Sequence, residues 1–162
     1  MKNKKLIVLI TAAALIILII GGVILMKFIN RPKTYEITSF DTVTLQESGM
    51  RVTQVYEITC DGDRAKVSLY TLTYNNGEKG KRLEESADCS AADFIKLLND
   101  CNITAWDGFY GKHPKNVLDG TMFEFEAKLN GDKTVSANGS QNFPKHYHDF
   151  TEGLYNILNS DA

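Results

Sequence analysis

The stretch TMFEFEAKLNGDKTVSA, residues 121–137, decides the fold class of the second half of this 162-residue chain. Two strand-like segments, 121–129 and 133–137, flank the dipeptide Asn130-Gly131. Asn-Gly in this position favours a type I′ turn, because both central residues of that turn need a positive φ. The stretch therefore predicts a β-hairpin.

Four more strands are predicted upstream, at residues 35–46, 52–60, 65–74 and 81–89. A helix follows them, since Ser90 can cap the first free N–H groups and an apolar stripe begins at Phe94. A second helix is predicted after Pro144, with Phe150 central in its apolar stripe. Gly153 lies in this helix and is expected to let it approach a strand closely. The order predicts an α+β fold, an antiparallel sheet with two helices packed on one face.

Before this domain, residues 6–26 (LIVLITAAALIILIIGGVILM) form a run of 21 residues without a charge. A helix of that length spans the ~30 Å hydrocarbon core of a bilayer. The alternative is a cleaved signal peptide, but its apolar region is usually ~7–15 residues long and no small-x-small cleavage site follows. We therefore expect an uncleaved transmembrane helix: residues 1–29 form a cytoplasmic tip and anchor, 30–34 a linker, and 35–162 an extracytoplasmic domain.

The orientation of the anchor is predicted from its flanks. Three lysines precede the run, at positions 2, 4 and 5, and three basic residues follow it, at positions 27, 31 and 33. The two flanks are nearly balanced under the positive-inside rule. A short, strongly charged N-terminal tip is hard to translocate, so we expect a single-pass protein of the cell membrane with its C-terminal domain outside.

The charge of the outer domain excludes one class of partner. From residue 31 onward the chain holds 14 of its 18 basic residues and all 20 acidic residues, a net charge of −6. Phosphate contacts dominate nucleic-acid binding, so a domain of this sign is not expected to bind nucleic acid. We expect no cofactor.

Three cysteines follow the anchor, Cys60, Cys89 and Cys101. Cys89 and Cys101 bracket the first predicted helix, which separates their Cα atoms by ~18 Å, beyond the reach of a disulfide. Any bridge should therefore involve Cys60. The favoured alternative is three buried free thiols.

The C-terminal half resembles uncharacterised membrane-anchored or lipid-anchored proteins of Gram-positive bacteria. About 55 residues carry the resemblance: Trp106, Val117-Leu118-Asp119-Gly120, Phe123-Glu124-Phe125, Asn130-Gly131, Ala137-Asn138-Gly139-Ser140, Phe143-Pro144, Tyr147 and Phe150. The resemblance implies an extracytoplasmic domain and assigns no activity and no catalytic residue.

Residues 102–120 form the longest segment without a predicted element. Long loops in compact domains are often functional, and exposed aromatic residues can anchor a partner. The candidate binding residues are therefore Trp106, Phe109, Tyr110 and His113. The alternative is that Trp106 and Phe109 cap the core at a helix end.

Catalytic and metal motifs give no strong signal. His146 and His148 lie two positions apart, which on a helix places them on different sides of the axis, so we expect no metal site. The chain has no G-x-S-x-G, H-E-x-x-H or C-x-x-C pattern. The favoured function is a membrane-anchored module that binds a protein, peptide or envelope component. The alternative is a small extracytoplasmic enzyme whose site is assembled in three dimensions.

Overall fold

The structure is a computed structural model that describes residues 34–75 and 78–160. The predicted anchor at residues 6–26 lies outside the described residues. Within these two ranges, no helix is long and apolar enough to cross a membrane.

The described elements are seven strands, two helices and one 3₁₀ turn. In chain order they are β1 (Phe40–Ser48), β2 (Thr53–Asp61), β3 (Arg64–Asn75), β4 (Glu78–Ser90), α1 (Ala91–Asp100), the 3₁₀ turn (Ile103–Trp106), β5 (Phe109–Gly111), β6 (Met122–Leu129), β7 (Lys133–Ser140) and α2 (Tyr147–Leu158). The strands form one sheet in the order β4-β3-β2-β1-β6-β7-β5. The predicted α+β class is confirmed.

The prediction of an antiparallel sheet is wrong for one strand. β5 pairs in parallel with β7, from Phe109 opposite Ala137 to Gly111 opposite Gly139. The other five strand pairs are antiparallel. The chain reverses direction twice, in the connection 112–121 before β6 and in the hairpin after it. β5 and β7 therefore both run opposite to β6 and are parallel to each other where they pair.

The inner face of the sheet and the two helices form a single hydrophobic core. Inner-face partners are apolar across the strands, as where Leu45 lies opposite both Tyr56 and Phe125. The buried face of α1 contributes Phe94 and Leu98. The buried face of α2 contributes four side chains, Tyr147, Phe150, Leu154 and Leu158. Phe150 is fully buried, as its central place in the stripe predicts.

The helix ends follow from local chemistry. The Ser90 hydroxyl accepts a hydrogen bond from the Asp93 amide at 3.1 Å, which confirms the predicted cap of α1. α2 begins at Tyr147, because His146 has a φ of 63° and is not helical. Gly153 of α2 faces α1 instead of the strand that we expected. A β-carbon there would lie 2.6 Å from Leu97 Cδ1, so the glycine lets the two helices approach each other.

The segment before β1 is held by two asparagine side chains, so the predicted strand 35–46 begins only at Phe40. The side chain of Asn99 accepts from the Ile37 amide and donates to its carbonyl oxygen, both at 2.9 Å. Asn130 accepts from the amides of Thr38 and Ser39 at 2.9 and 3.1 Å. These side-chain hydrogen bonds take the place of the backbone hydrogen bonds that a strand would make with its neighbour.

The predicted hairpin at Asn130-Gly131 is confirmed, since β6 and β7 pair in antiparallel register up to Leu129 opposite Lys133. Asn130 has a φ of 49° and Gly131 a φ of 82°, both positive as expected for this dipeptide. The connection is one residue longer than the predicted type I′ turn, because Asp132 also lies between the paired residues.

All three cysteines are free thiols. Cys60 and Cys89 both lie opposite Ala65, on the two strands that flank β3. Two strand spacings separate them by ~9–10 Å, which is too far for a disulfide without backbone movement. Burial raises the pKa of the Cys89 thiol. Burial also raises the pKa of Cys101, to about 11, and the negative charges of Asp149 and Asp100 add to this effect.

Candidate ligand site on the open face of the sheet

The structure separates the four predicted binding residues into two pairs. Trp106 is 1% exposed, and its indole N–H donates to the Lys145 carbonyl oxygen at 3.0 Å. Phe109 is half-buried, with its ring 6.2 Å from that of Phe123. Both side chains belong to the core, as the alternative interpretation held. Trp106 is therefore inaccessible to a partner.

Tyr110 and His113 lie on the opposite side of the sheet from this core. β5 alternates like any strand, so Phe109 points inward and Tyr110 outward. The Tyr110 side chain is 69% exposed. His113 is also exposed, two residues beyond the end of β5. These two residues remain candidates for contact with a ligand.

His113 fastens the connection between β5 and β6 to the sheet. Its Nε2 donates to the Val117 carbonyl oxygen at 2.7 Å. That bond leaves Nδ1 to accept from the Ser140 hydroxyl, also at 2.7 Å. The imidazole thus links residue 117 of the connection to the last residue of β7.

In the described part of the chain, neither helix packs on the face that carries Tyr110, since both contribute to the core on the other face. Register partners form a continuous row across all seven strands at this level. From β4 to β5 the row reads Leu83, Tyr70, Val55, Gln46, Glu124, Asn138 and Tyr110. Three strand spacings of ~4.8 Å separate Gln46 from Tyr110, so this half of the row is ~14 Å long.

A cleft of about 290 Å³ lies over β1, β6 and β7 on this face. Two adjacent rows of register partners supply its polar side chains. The first row is Gln46, Glu124 and Asn138, and the second is Thr44, Glu126 and Ser136. In each row a carboxylate on β6 therefore stands between two uncharged groups, amides in the first row and hydroxyls in the second.

A second cleft of about 250 Å³ adjoins the first. The two clefts share Glu124 and Asn138. The second adds four accessible side chains: Tyr110 on β5, His113 after that strand, Met122 at the start of β6 and Ser140 at the end of β7. We call the two clefts together the open-face groove.

The open-face groove is acidic and hydroxyl-rich. Neither set of lining residues, within the described part of the chain, includes a lysine or an arginine. Lys81 lies further along the same face. Its Nζ is 2.6 Å from a carboxylate oxygen of Glu57, and this hydrogen bond raises the pKa of the lysine. The groove therefore offers carboxylate acceptors, amides that both donate and accept, and hydroxyls.

Metal binding has no support in the described ranges, 34–75 and 78–160. They contain no group of three or more His, Cys, Asp or Glu side chains that could hold a metal ion.

Sequence reasoning missed most of the groove. Gln46, Glu124, Glu126 and Asn138 look like ordinary outward-facing polar residues of strands. Only the strand register, which joins β1 to β6 over about 80 positions of sequence, places them side by side. The segment 102–120, which the sequence predicted as the candidate site, contributes Tyr110 and His113 to one end of the groove.

Comparison with known proteins provides no relative for this chain. No protein-family model, no curated protein and no solved structure matches it. The function is therefore inferred from the geometry of the groove and from the chemistry of its residues.

Proposed function

We propose that this chain is a membrane-anchored extracytoplasmic binding module whose ligand site is the open-face groove. A single transmembrane helix at residues 6–26 holds it in the cell membrane, with the N-terminal tip in the cytoplasm. The 21 uncharged residues of that run support the anchor. The resemblance to anchored proteins of Gram-positive bacteria supports the extracytoplasmic location. The partner is a protein, peptide or envelope component and not a nucleic acid.

One observation carries the proposal of a binding site: two adjoining clefts share Glu124 and Asn138 beside an exposed aromatic ring. Tyr110 offers a large, rigid contact area with a polar tip, which is typical of residues that dominate binding energy. The polar residues of the groove stand on strands, and strands hold side chains more rigidly than loops do.

The test compares two tyrosines of similar exposure. Tyr110 is 69% exposed on β5, and Tyr155 is 62% exposed on α2, away from the groove. The full chain in detergent is mixed with the insoluble envelope fraction of a Gram-positive bacterium, and the retained protein is measured. We expect Tyr110→Ala to weaken retention by about tenfold or more, which corresponds to ~1.4 kcal/mol, and Tyr155→Ala to leave it unchanged.

Equal retention of both variants, with melting temperatures equal to that of the wild type, would contradict a ligand site at Tyr110. His113→Ala is a less specific probe, because loss of the imidazole also frees residue 117 from β7. Trp106→Ala is unsuitable, since the side chain is in the core.

A second candidate function, hydrolysis by acyl transfer, is favoured by the contact between Ser140 and His113. The hydroxyl is 2.7 Å from Nδ1, and the Val117 carbonyl oxygen fixes the imidazole through Nε2. A nucleophile, a base and a group that orients the base are the parts that this chemistry needs. The Ser140 oxygen would attack an ester carbonyl while Nδ1 takes its proton. That proton would pass to the departing alcohol, and water would then release the acid.

A fluorophosphonate probe separates this candidate from a binding module. A hydrolase with an activated Ser140 would be labelled at that residue, and Ser140→Ala would abolish the labelling. Absence of labelling at Ser140 in the full chain would exclude the hydrolase and leave the binding module.

A further inference from the structure

We infer that the open-face groove takes an uncharged, hydroxyl-rich saccharide chain, laid across the strands from Gln46 to Tyr110. The inference rests on the proposed function, because it names the ligand class of the same site. The path crosses β1, β6, β7 and β5 along one row of register partners and is ~14 Å long.

The hydrogen-bonding groups of the groove match those of a saccharide. A sugar hydroxyl donates one hydrogen bond and accepts others, so it needs acceptors and donors side by side. Glu124 supplies two carboxylate oxygens between the amides of Gln46 and Asn138, each of which both donates and accepts. The second row repeats this order with Thr44, Glu126 and Ser136.

Tyr110 provides the apolar contact that such a ligand needs at the end of the row. The C–H face of a sugar ring is apolar, and an exposed aromatic ring next to hydrogen-bonding groups can cover it. Tyr110 lies beside Asn138 on the neighbouring strand and is exposed. Met122 adds an exposed apolar side chain to the same cleft.

Other ligand classes fit the groove less well. An anionic ligand in the groove would lie against Glu124 and Glu126, and the one outward-facing cation of β6, Lys128, lies beyond both rows of the described lining. An apolar peptide would need pockets for its side chains, whereas two rows of this face present carboxylates, amides and hydroxyls. A cationic peptide would satisfy the carboxylates, but it would leave the amides and hydroxyls of both rows without specific partners.

The experiment uses the full chain in detergent and three samples of the envelope fraction. One sample is untreated, one is digested with protease, and one is deglycosylated with anhydrous trifluoromethanesulfonic acid. A saccharide ligand predicts retention on the untreated and protease-digested samples and loss on the deglycosylated sample. Retention should also be the same at about 50 mM and about 500 mM NaCl, because an uncharged ligand is not screened by salt.

Two glutamate variants locate the contact. Glu124→Gln should lower retention about five- to tenfold, since an ionised acceptor forms a stronger hydrogen bond than an amide oxygen. Glu152→Gln, which removes the same charge from an exposed site on α2, should have no effect.

The contrary outcomes are distinct from one another. Loss of retention after protease digestion would identify a protein partner and overturn the saccharide inference while the binding module stands. Loss of retention at high salt would identify a cationic ligand and also overturn it. Absence of retention on the untreated sample, or retention that does not depend on Tyr110, would overturn the proposed function itself.

Discussion

Replacement of Phe150 by alanine tests the core that supports the open sheet. Phe150 is fully buried at the centre of α2. Its ring makes edge-on contacts with Trp106, Phe125 and Phe94, at centroid distances of 5.7, 5.8 and 6.5 Å. The substitution therefore removes a side chain that joins the helix to the 3₁₀ turn, to β6 and to α1.

The magnitude follows from burial and from these contacts. Truncation of a buried phenylalanine to alanine costs ~3–5 kcal/mol, through lost transfer free energy and the cavity that remains. Aromatic pairs add ~0.5–1.5 kcal/mol each beyond buried area. The measured range for truncation already contains such pair terms, so three aromatic partners place the expected loss in its upper part, near ~4–5 kcal/mol. His148 is exposed on the same helix, so His148→Ala should cost less than ~1 kcal/mol.

The assay is urea unfolding of residues 31–162, which we expect to fold without the anchor. Trp106 is the only tryptophan in the chain, and it is buried, so its fluorescence reports loss of the core. Both variants should keep the slope of the wild-type transition, and only Phe150→Ala should move its midpoint strongly. Equal free energies of unfolding for the two variants would show that the buried face of α2 is misassigned.

Three other predictions test separate parts of the account. The pKa of Cys101 is about 11 in the folded domain, raised from the ordinary 9.0 mainly by burial. The thiol of the unfolded chain therefore ionises at a lower pH than the folded one, and stability should fall as the pH rises from 9 to 11. Cys101→Ala should make that fall in melting temperature shallower, and an unchanged slope would refute the role of this thiol. Asn130→Ala should lower the free energy of unfolding by ~1–2 kcal/mol, through lost side-chain hydrogen bonds and a strained positive φ. Asn130→Gly should lower it less, because glycine adopts the positive φ without strain and loses only the hydrogen bonds. Equal urea midpoints for the two variants would contradict this separation of the two effects. N-terminal sequencing of membrane-extracted protein should find the lysine-rich tip, whereas a soluble chain that begins after residue 26 would refute the anchor.

Local signals in the sequence predicted much of the fold. The Asn130-Gly131 hairpin and the Ser90 cap each depend on residues within a few positions, and the structure confirms both. β5 could not be predicted in this way. It has three residues and pairs with a strand 28 positions later, so no local periodicity marks it.

The site was predictable only at its edge. Tyr110 and His113 were conspicuous as ring residues in a long segment without a predicted element. Glu124 and Asn138 were not, because outward-facing polar residues are normal on any half-exposed sheet. Their significance depends on long-range register, which one sequence does not reveal.

The most direct test of the central claim, that the open face binds a ligand, is photo-crosslinking in the native envelope. A photoreactive phenylalanine replaces Tyr110 in one sample of the full chain and Tyr155 in another, two positions of similar exposure on opposite sides of the domain. The account predicts a discrete adduct with an envelope component from position 110 and none from position 155. Adducts from position 155 alone, or equal adducts from both positions, would contradict it.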